Sequence, residues 1–433
     1  MELSISRPQQ QVYLFRGLGL SLMLSFVVLM SYFPAMLYAG GQQDEGTPST
    51  PVTLNNSGQA HGAEHAIFAT PMPIAMNPSM APAREEFDVA EQKSVRLVFG
   101  GDVNEGRWGD NPAWHLTLID SFENLVPLFQ QADLVFFNAE GGLCDPFQSG
   151  MEVKPRGSNV LWVTPSSLVE LQSAIGDAHL VVSQANNHTM NLGESCLKHG
   201  EAVLTDAGIG MLGAGDDLSA ARDPYIVDIH GTLVGILAYA DSDVIIDAWV
   251  AGEEQPGVVP MDPLLLREDL EALRPVVDFI VISIHSGKEF ERSVTENQVL
   301  FALSAVQYGA DLVIGHGSHV PQGFLQVDGT PIYFSLGNGM MDQCFPCDYA
   351  FYSNDVRKNV WLEVEIQNSE LLSIQHHVYY SGRCMLPSIA SAAIVEDVEH
   401  SLANIAYMDD WPWLSESQAE GHPEGRFSDL FVE

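Results

Sequence analysis

Short apolar runs alternate with helix-like segments through most of this chain, and this alternation limits the folds that it can adopt. The runs are Val95–Gly100, Leu134–Phe137, Leu180–Ser183, Leu233–Tyr239, Phe279–Ile284, Leu312–Gly315 and Ile332–Ser335. Runs that stay apolar throughout are typical of strands covered on both faces, as in largely parallel sheets. Because helices usually connect such strands, the pattern predicts an α/β domain.

Local signals predict particular helices and a hairpin around these runs. The segment "GESCLKHGEAVLTDAG" carries apolar residues at helical spacing and ends in a glycine. In "TENQVLFALSAVQYGA", Thr295 and Gln298 have the spacing of a capping box at a helix start. After Asn359, the alternating runs "NVWLEVEIQ" and "ELLSIQHHVYY" predict an antiparallel hairpin that closes the domain. His376 and His377 in the second run then point to opposite faces of a strand, which argues against a joint ligand role.

The flanking segments differ in composition from this domain. Residues 1–40 carry arginines followed by a long apolar run that ends in small residues, which predicts a signal peptide or a membrane anchor. Residues 41–93 are rich in Gly, Pro, Ser and Asn without any period, and we expect a flexible linker there. The main domain is expected at 94–385, with an acidic C-terminal tail at 386–433. An exported protein is therefore expected, in the periplasm, at the cell surface or anchored to the membrane.

The charge balance excludes one class of partner. The 433-residue chain has 57 acidic and 18 basic residues, a net charge of -39. Such a surface repels nucleic acid and anionic lipid. We therefore expect no nucleic-acid partner.

Export would allow the five cysteines to form disulfides, because disulfides persist in oxidising compartments. Cys344 and Cys347 stand close enough in "QCFPCD" for a local disulfide. A zinc site would need two more such ligands, and no second CxxC is present. Cys144, Cys196 and Cys384 stay unassigned, and one cysteine of the five must remain unpaired within a monomer.

Polar side chains follow five of the apolar runs directly. They are Asp102, Asn138, Glu140, Asn186, Asn187, His188, His285, His316 and His319. The carboxyl ends of parallel strands gather ligand sites at one edge of an open α/β sheet. Each residue taken singly is more often structural than functional, but together they form a set of carboxylate, amide and imidazole donors. Borderline divalent metals such as Mn, Fe and Zn accept this set, whereas Ca or Mg would not need the histidines.

Longer stretches around these residues resemble a known family. They are "FGGDVNEGR", "ADLVFFNAEGGL", "ANNHTMNLGESCLKHGEAVLTDAGIGMLGAG", "ISIHSGKEF" and "YGADLVIGHGSHVPQGFLQVDGTPIYFSLGN". In this order they resemble the capsule synthesis protein CapA (poly-gamma-glutamate synthesis) family, whose domain is similar to the calcineurin-like metallophosphoesterases. The resemblance covers about Val95 to Asn338. It implies a four-layer α/β/β/α sandwich that forms a single main domain.

The resemblance also implies roles for individual residues. It implies divalent metal ions, two in number and of Mn, Fe or Zn, held by Asp102, Glu140, Asn187, His285, His316 and His319. Glu140 would bridge the two ions, and His188 would face the substrate as an acid or orienting group. The expected substrate contacts are Arg107, Asn138, Asn186 and Glu289, although an ordinary surface role suits Arg107 equally well. Asn338, in "SLGN", is interpreted as a structural residue.

The chain departs from the family pattern at several positions near these residues. The family usually has "GHHPH" where this chain has "GHGSH", so that Gly317 and Ser318 replace a histidine and a proline. Asn191 stands where an aspartate is usual, and Ser286 where a tryptophan is frequent. We expect these changes to affect substrate contacts more than metal binding.

The function implied by the resemblance is synthesis, attachment or trimming of an extracellular capsule polymer such as poly-gamma-glutamate. The chemistry would be metal-dependent hydrolysis or transfer on an anionic polymer or a phosphorylated substrate, with capsule-export proteins of the membrane as possible partners. The alternative is a non-catalytic polymer-binding or capsule-assembly factor that keeps the fold.

Overall fold

The computed structural model defines the main domain and the start of the segment that follows it. It describes residues 13–14, 93–107, 116–147, 153, 155–156, 159–242, 245, 249–341, 354–383 and 386–407. Outside these residues lie the remainder of the expected signal peptide or anchor, the linker up to residue 92, Cys344, Cys347, Cys384 and the chain beyond residue 407. None of the helices within the described ranges combines the length and the apolar character needed to cross a bilayer.

Strands make up most of the regular structure. They are β1 (Tyr13–Leu14), β2 (Val95–Val103), β3 (Gly106–Arg107), β4 (Leu134–Ala139), β5 (Gly142–Leu143), β6 (Leu161–Val163), β7 (His179–Ser183), β8 (Gly210–Leu212), β9 (Ala214–Gly215), β10 (Tyr225–Ile229), β11 (Thr232–Ala240), β12 (Gly257–Val258), β13 (Phe279–His285), β14 (Ser293–Val294), β15 (Leu312–His316), β16 (Phe324–Val327), β17 (Thr330–Tyr333), β18 (Asn338–Met340), β19 (Lys358–Gln367), β20 (Glu370–Arg383), β21 (Leu386–Ile389) and β22 (Ala406–Tyr407).

Five of the eight helices in the described residues have 11 to 13 residues, and the other three have four residues each. The helices are α1 (Leu118–Ser121), α2 (Val126–Phe129), α3 (Pro165–Ile175), α4 (Glu194–Asp206), α5 (Leu218–Ala221), α6 (Pro263–Leu273), α7 (Glu296–Gln307) and α8 (Ala392–Ala403), with 3-10 turns at Thr189–Leu192 and Asn354–Arg357. The predicted capping box is confirmed, because the Thr295 side chain accepts from the Gln298 N–H and the Gln298 side chain accepts from the Thr295 N–H.

Two large sheets form the centre of the domain. In the first sheet the strands run in the order β1-β20-β19-β2-β4-β7-β8, with β18 beside β2 and β21 beside β20. In the second sheet the order is β10-β11-β13-β15-β17-β16. The inner pairs β2–β4, β4–β7, β11–β13 and β13–β15 are parallel, which confirms the expected parallel core. The predicted hairpin is the antiparallel pair of β19 and β20.

Alternate residues of these strands face two different cores. Phe99 of β2 and Val281 of β13 share the cluster that lies between the two sheets. Their chain neighbours point outwards, since Val98 packs beneath α1 to α3 while Ile280 packs beneath α6 and α7. Helices therefore cover the outer face of each sheet, and the predicted four-layer α/β/β/α sandwich is confirmed.

The segment after residue 385 differs from the acidic tail that the sequence analysis assigns to it. It forms β21 and α8, and β21 pairs with β20. Val398 and Leu402 on α8 are buried in the cluster between the two sheets. Their spacing places both side chains on one face of the helix. The described part of this segment, up to residue 407, therefore belongs to the folded domain.

We predict that Gly101→Ala destabilises the domain, because β2 and β18 approach each other too closely for a side chain. A Cβ on Gly101 would lie 1.8 Å from the carbonyl oxygen of Gly337, a backbone atom. The expected loss is about 1–3 kcal/mol or more of the free energy of unfolding, measured by denaturant titration. Gly252→Ala is the control, because its Cβ would meet nothing closer than the Gln255 Cβ at 3.4 Å. Equal stability of the two variants would contradict the prediction.

Candidate metal centre

The nine polar residues that follow the apolar runs meet at one edge of the sandwich. In the first sheet, Asp102 lies on β2, Asn138 on β4 and Asn186–His188 in the loop after β7. In the second sheet, His285 and His316 end the parallel strands β13 and β15 and are paired in register. Since parallel strands finish at the same edge, the two sheets present these side chains to one another.

Asp102, Glu140 and His319 form the centre of this site. Their ligand atoms lie within 4.8 Å of one another, and all three residues are buried. The Nδ1 atom of His319 is 3.4 Å from Asp102 Oδ2 and 3.7 Å from Glu140 Oε2. Two carboxylates and an imidazole at these distances are suited to a divalent metal ion.

His285, His316 and Asn187 surround a second part of the site. His285 Nε2 lies 3.0 Å from Asn187 Oδ1 and 3.9 Å from Glu140 Oε1. His316 Nδ1 lies 3.8 Å from Asp102 Oδ1. The six residues predicted as metal ligands are thus brought together, with Glu140 between the two groups.

The donors left without hydrogen bonds show how well a metal ion fits. Within the described part of the chain, both carboxylate oxygens of Glu140 and both ring nitrogens of His316 are buried without a hydrogen-bond partner. A buried polar group without a partner is costly, and native proteins satisfy nearly all of them. Coordination of a cation would satisfy these atoms, so the donor set fits the metal that the resemblance implies.

The ionisation states agree with cation binding. Burial lowers the pKa of His285 to about 3 and that of His316 to about 4, so both rings are neutral and offer lone pairs. Burial acts in the same direction on His319, but the carboxylates of Glu140 and Asp102 outweigh it and raise its pKa to about 10. The surroundings of His319 therefore stabilise a positive charge.

Asp102 is held by donors from both sheets. The Nδ2 group of Asn138 donates to Asp102 Oδ1 at 2.8 Å, and the backbone N–H of Gly317 donates to Asp102 Oδ2 at 2.9 Å. Burial favours protonation of this carboxyl, but the hydrogen bond to His319 and the neighbouring histidines together hold its pKa well below the usual range. Asp102 is therefore ionised.

Asn138 and Asn186 lie behind the metal-binding donors. Asn186 Nδ2 donates to Asn138 Oδ1 at 3.1 Å, and Asn138 Nδ2 also contacts His285 Nδ1 at 3.1 Å. Asn186 Oδ1 accepts the backbone N–H of His188. Both amides are buried, and this placement favours a supporting role over the substrate contact that the sequence analysis predicts.

His188 lies beside Glu140, and Asn191 holds its ring from the side away from Glu140. Its Nδ1 contacts Asn191 Oδ1 at 2.7 Å, and its Nε2 lies 3.8 Å from Glu140 Oε1. Asn191 Oδ1 also accepts the N–H of Leu161, which identifies this atom as the acceptor. Burial lowers the pKa of His188 to about 4, so the ring is neutral. The asparagine at position 191 therefore still orients the histidine.

Arg107 and Glu289, both predicted substrate contacts, lie close enough to act on Glu140. Burial is the main influence on the pKa of Glu140 and raises it well above the usual range, while the charge of Glu289 adds to this effect and that of Arg107 opposes it. Arg107 is half-buried and Glu289 is exposed. Arg107 therefore brings a positive charge to the site beside Glu140 and His188.

A disulfide that the sequence analysis does not assign joins two of the site segments. Cys144 and Cys196 are bonded across 52 residues of sequence. Cys144 follows the turn that carries Glu140, and Cys196 lies on α4 after the turn that carries His188. Both cysteines are buried with Trp162 and Leu192. The disulfide therefore ties the Glu140 segment to the His188 segment.

Two buried acids near the site escape the sequence analysis. Glu105 accepts the N–H of Thr164 at the start of α3 and so anchors the turn before Arg107. Burial raises its pKa to about 7 against opposing hydrogen bonds from Ser167 and Thr164. Asp241 accepts from the Ser286 hydroxyl at 2.6 Å and fixes the chain just after His285. Asp241 follows the apolar run Leu233–Tyr239 at the spacing that Asp102 has after its own run, so its strand-end position was a signal that could have found it. Glu105 lies beyond Asp102 in the same loop, and strand-end position gives no signal for it.

Comparison with known proteins agrees with the predicted resemblance. Residues 96–343 match the family model described as "Bacterial capsule synthesis protein PGA_cap". The chain is 26% identical over 246 residues to the "PGA biosynthesis protein CapA" of Bacillus subtilis, covering 57% of this chain and 63% of the relative. It is 26% identical over 258 residues to the "Capsule biosynthesis protein CapA" of Bacillus anthracis, covering 58% of this chain and 61% of the relative.

A third relative is more similar over a shorter stretch. The chain is 33% identical over 206 residues to the "Probable polyglutamine synthesis accessory protein" of Mycobacterium tuberculosis, covering 45% of this chain and 54% of the relative. The matched part thus spans less than two thirds of each of these three relatives.

We predict that Glu105→Gln makes the stability of the domain less dependent on pH. Burial raises the folded-state pKa of Glu105 from its ordinary value of 4.5 to about 7. Its contribution to stability is therefore fully present below about pH 4.5 and lost as the pH rises through about 7, a change of about 3 kcal/mol. The measurement is the free energy of unfolding at pH 5 and pH 8 for both proteins. The exposed Glu254→Gln is the control, and an unchanged pH dependence in Glu105→Gln would contradict the prediction.

Proposed function

Because this chain belongs to the bacterial capsule synthesis protein PGA_cap family, we propose that it acts in the synthesis, attachment or trimming of an extracellular capsule polymer such as poly-gamma-glutamate. The names of the relatives support the polymer, and the buried Asp102, Glu140 and His319 support metal-dependent chemistry. The observation that carries the proposal is that, among the described residues, the carboxylate oxygens of Glu140 and the ring nitrogens of His316 are buried without a hydrogen-bond partner. Such buried polar atoms are costly, and a bound cation would satisfy them.

The proposed reaction is hydrolysis or transfer on an anionic polymer or a phosphorylated substrate. Asp102, Glu140, Asn187, His285, His316 and His319 would hold divalent ions of Mn, Fe or Zn, two in number. When bound, such ions supply an activated water and stabilise negative charge on the reacting oxygens. Arg107 would bind an anionic group of the substrate, because its guanidinium lies near Glu140 and His188.

His188 is proposed to exchange a proton with the substrate. Its Nδ1 is engaged by Asn191 at 2.7 Å, and its Nε2 is the atom that lies on the side of Glu140, 3.8 Å from Oε1. A neutral imidazole fixed in this way can take a proton at Nε2 and return it to a leaving group. At the departure Gly317, the backbone N–H supports Asp102, and this contact does not depend on a side chain at the position.

Export of the chain is part of the proposal. The apolar run within residues 1–40 and the buried Cys144–Cys196 disulfide both support it, since disulfides persist in oxidising compartments. We propose a location in the periplasm, at the cell surface or at the membrane, with capsule-export proteins as partners.

We predict that removal of bound metal abolishes activity and that Mn²⁺, Fe²⁺ or Zn²⁺ restores it. The purified protein is analysed for metal content and assayed on poly-gamma-glutamate and on a generic phosphodiester, before and after chelation. Bound metal with turnover of either substrate supports the enzyme. Binding of poly-gamma-glutamate without turnover in the metal-loaded protein would instead favour a non-catalytic assembly factor.

We predict that His188→Ala keeps bound metal but loses turnover by roughly a hundredfold, as expected for removal of a group that transfers a proton. Asp102→Ala should lose metal and turnover together, because Asp102 lies between His316 and His319. Metal content and initial rates are measured on the same preparations. If His188→Ala retained full activity, or lost its metal as Asp102→Ala does, this division of roles would be wrong.

A further inference from the structure

Asn338 lies beside the Asp102, Glu140 and His319 group on a strand that the sequence analysis treats as structural. It begins β18, which runs parallel to β2, and its register partner on β2 is Asp102. The residue is buried, with an exposed fraction of only 3%. Its backbone carbonyl accepts from the side chain of Asn359, which holds the start of β18 in place.

The amide of Asn338 has a defined orientation. Its Nδ2 group donates to the backbone carbonyl of Val356 at 2.9 Å. Because only the nitrogen can donate to a carbonyl, Oδ1 is the atom that faces the site. This oxygen lies 3.0 Å from Nδ1 of His319.

The distances around His319 Nδ1 fit a common metal ion. Asp102 Oδ2 lies at 3.4 Å, Glu140 Oε2 at 3.7 Å and Asn338 Oδ1 at 3.0 Å from this nitrogen. With bonds of about 2.1 Å, two ligands of one ion lie about 3.0 Å apart at a right angle and about 3.4 Å apart at a tetrahedral angle. Asn338 therefore lies at the spacing of a ligand, no farther from His319 than the two carboxylates.

The second part of the site contains the same arrangement. Asn187 Oδ1 lies 3.0 Å from His285 Nε2, as Asn338 Oδ1 lies 3.0 Å from His319 Nδ1. Amide oxygens are neutral ligands, so they add a donor without adding charge to a site that already holds two buried carboxylates. Each histidine of these two pairs thus has an asparagine oxygen at ligand spacing.

We propose that the Oδ1 atom of Asn338 is a ligand of the ion bound by Asp102, Glu140 and His319. This inference rests on the proposed metal-dependent function of the site. It assigns to β18 a direct part in metal binding, with Val356 holding the amide in the orientation that binding requires. The alternative for the same contact is a hydrogen bond from the His319 ring that only positions the imidazole.

The experiment compares Asn338→Ala, Asn338→Asp and Asn359→Ala in the full chain. Co²⁺ is titrated into each metal-free protein, and affinity, stoichiometry and the visible ligand-field spectrum are recorded, with thermal unfolding as a check of folding. Asn338→Ala removes the oxygen, whereas Asn338→Asp keeps an oxygen at that position. Asn359→Ala is the matched control, because it loosens the backbone of β18 and leaves the Asn338 amide in place.

We expect Asn338→Ala to bind Co²⁺ at least tenfold more weakly and with an altered spectrum. Asn338→Asp should retain the wild-type stoichiometry and a spectrum close to wild type, and Asn359→Ala should match wild type in both. If Asn338→Ala bound Co²⁺ with wild-type affinity, the inference about Asn338 would be wrong, while the proposed function would still stand. A weakened Asn338→Ala with an unchanged spectrum, not rescued by Asn338→Asp, would overturn it in favour of a positioning role. If the wild-type protein bound no Co²⁺, the proposed function would fail, and this inference with it.

Discussion

The hydrogen bonds to the buried carboxylate of Asp102 hold the two halves of the site together. Asp102 belongs to the first sheet, and the N–H of Gly317 that it accepts belongs to the turn after the last parallel strand of the site in the second sheet. An ionised carboxylate is costly to bury unless donors compensate it. Here one donor comes from Asn138 in the first sheet and one from Gly317 in the second. Both donors reach the Asp102 carboxylate only when the two sheets are packed together.

The local electrostatics of the site differ from those of the whole chain. The net charge of -39 would repel an anionic polymer at long range. Within the site, Arg107 and the positive charge stabilised at His319 offset part of the negative charge of the neighbouring carboxylates. Bound cations would add to the same effect, because they are the largest local charges in such sites. Under the proposed function, positive charge placed locally in this way would let an acidic protein bind an acidic substrate at this edge.

The features that the sequence predicts well are those encoded within a short stretch of chain. The capping box of Thr295 and Gln298 and the polar ends of β2, β13 and β15 depend on local patterns, and all are found in the structure. The pairing of Cys144 with Cys196 depends on contacts across 52 residues, and no local signal selects it.

The need for tertiary contacts also explains why sequence analysis did not predict the helix α8 or the proposed role of Asn338. Val398 and Leu402 have helical spacing, but the excess of acidic over basic residues across 386–433 favoured the interpretation of an acidic tail. Asn338 looks like an ordinary turn residue until β18 pairs with β2 and the carbonyl of Val356 orients its amide. Such roles arise from tertiary contacts, which a single sequence does not display.

The position of β2 within the first sheet has a consequence for partly synthesised or truncated chains. Its neighbours on one side are β18 and β19, which follow it by more than two hundred residues, while β4 pairs with it on the other side. A chain that ends before Asn338 would leave one edge of this apolar strand open. Open apolar edges pair readily with other chains and promote aggregation. The carboxyl-terminal strands β18 and β19 therefore cover the open edge of β2. Until these strands have been synthesised and paired, the nascent chain can aggregate through that edge.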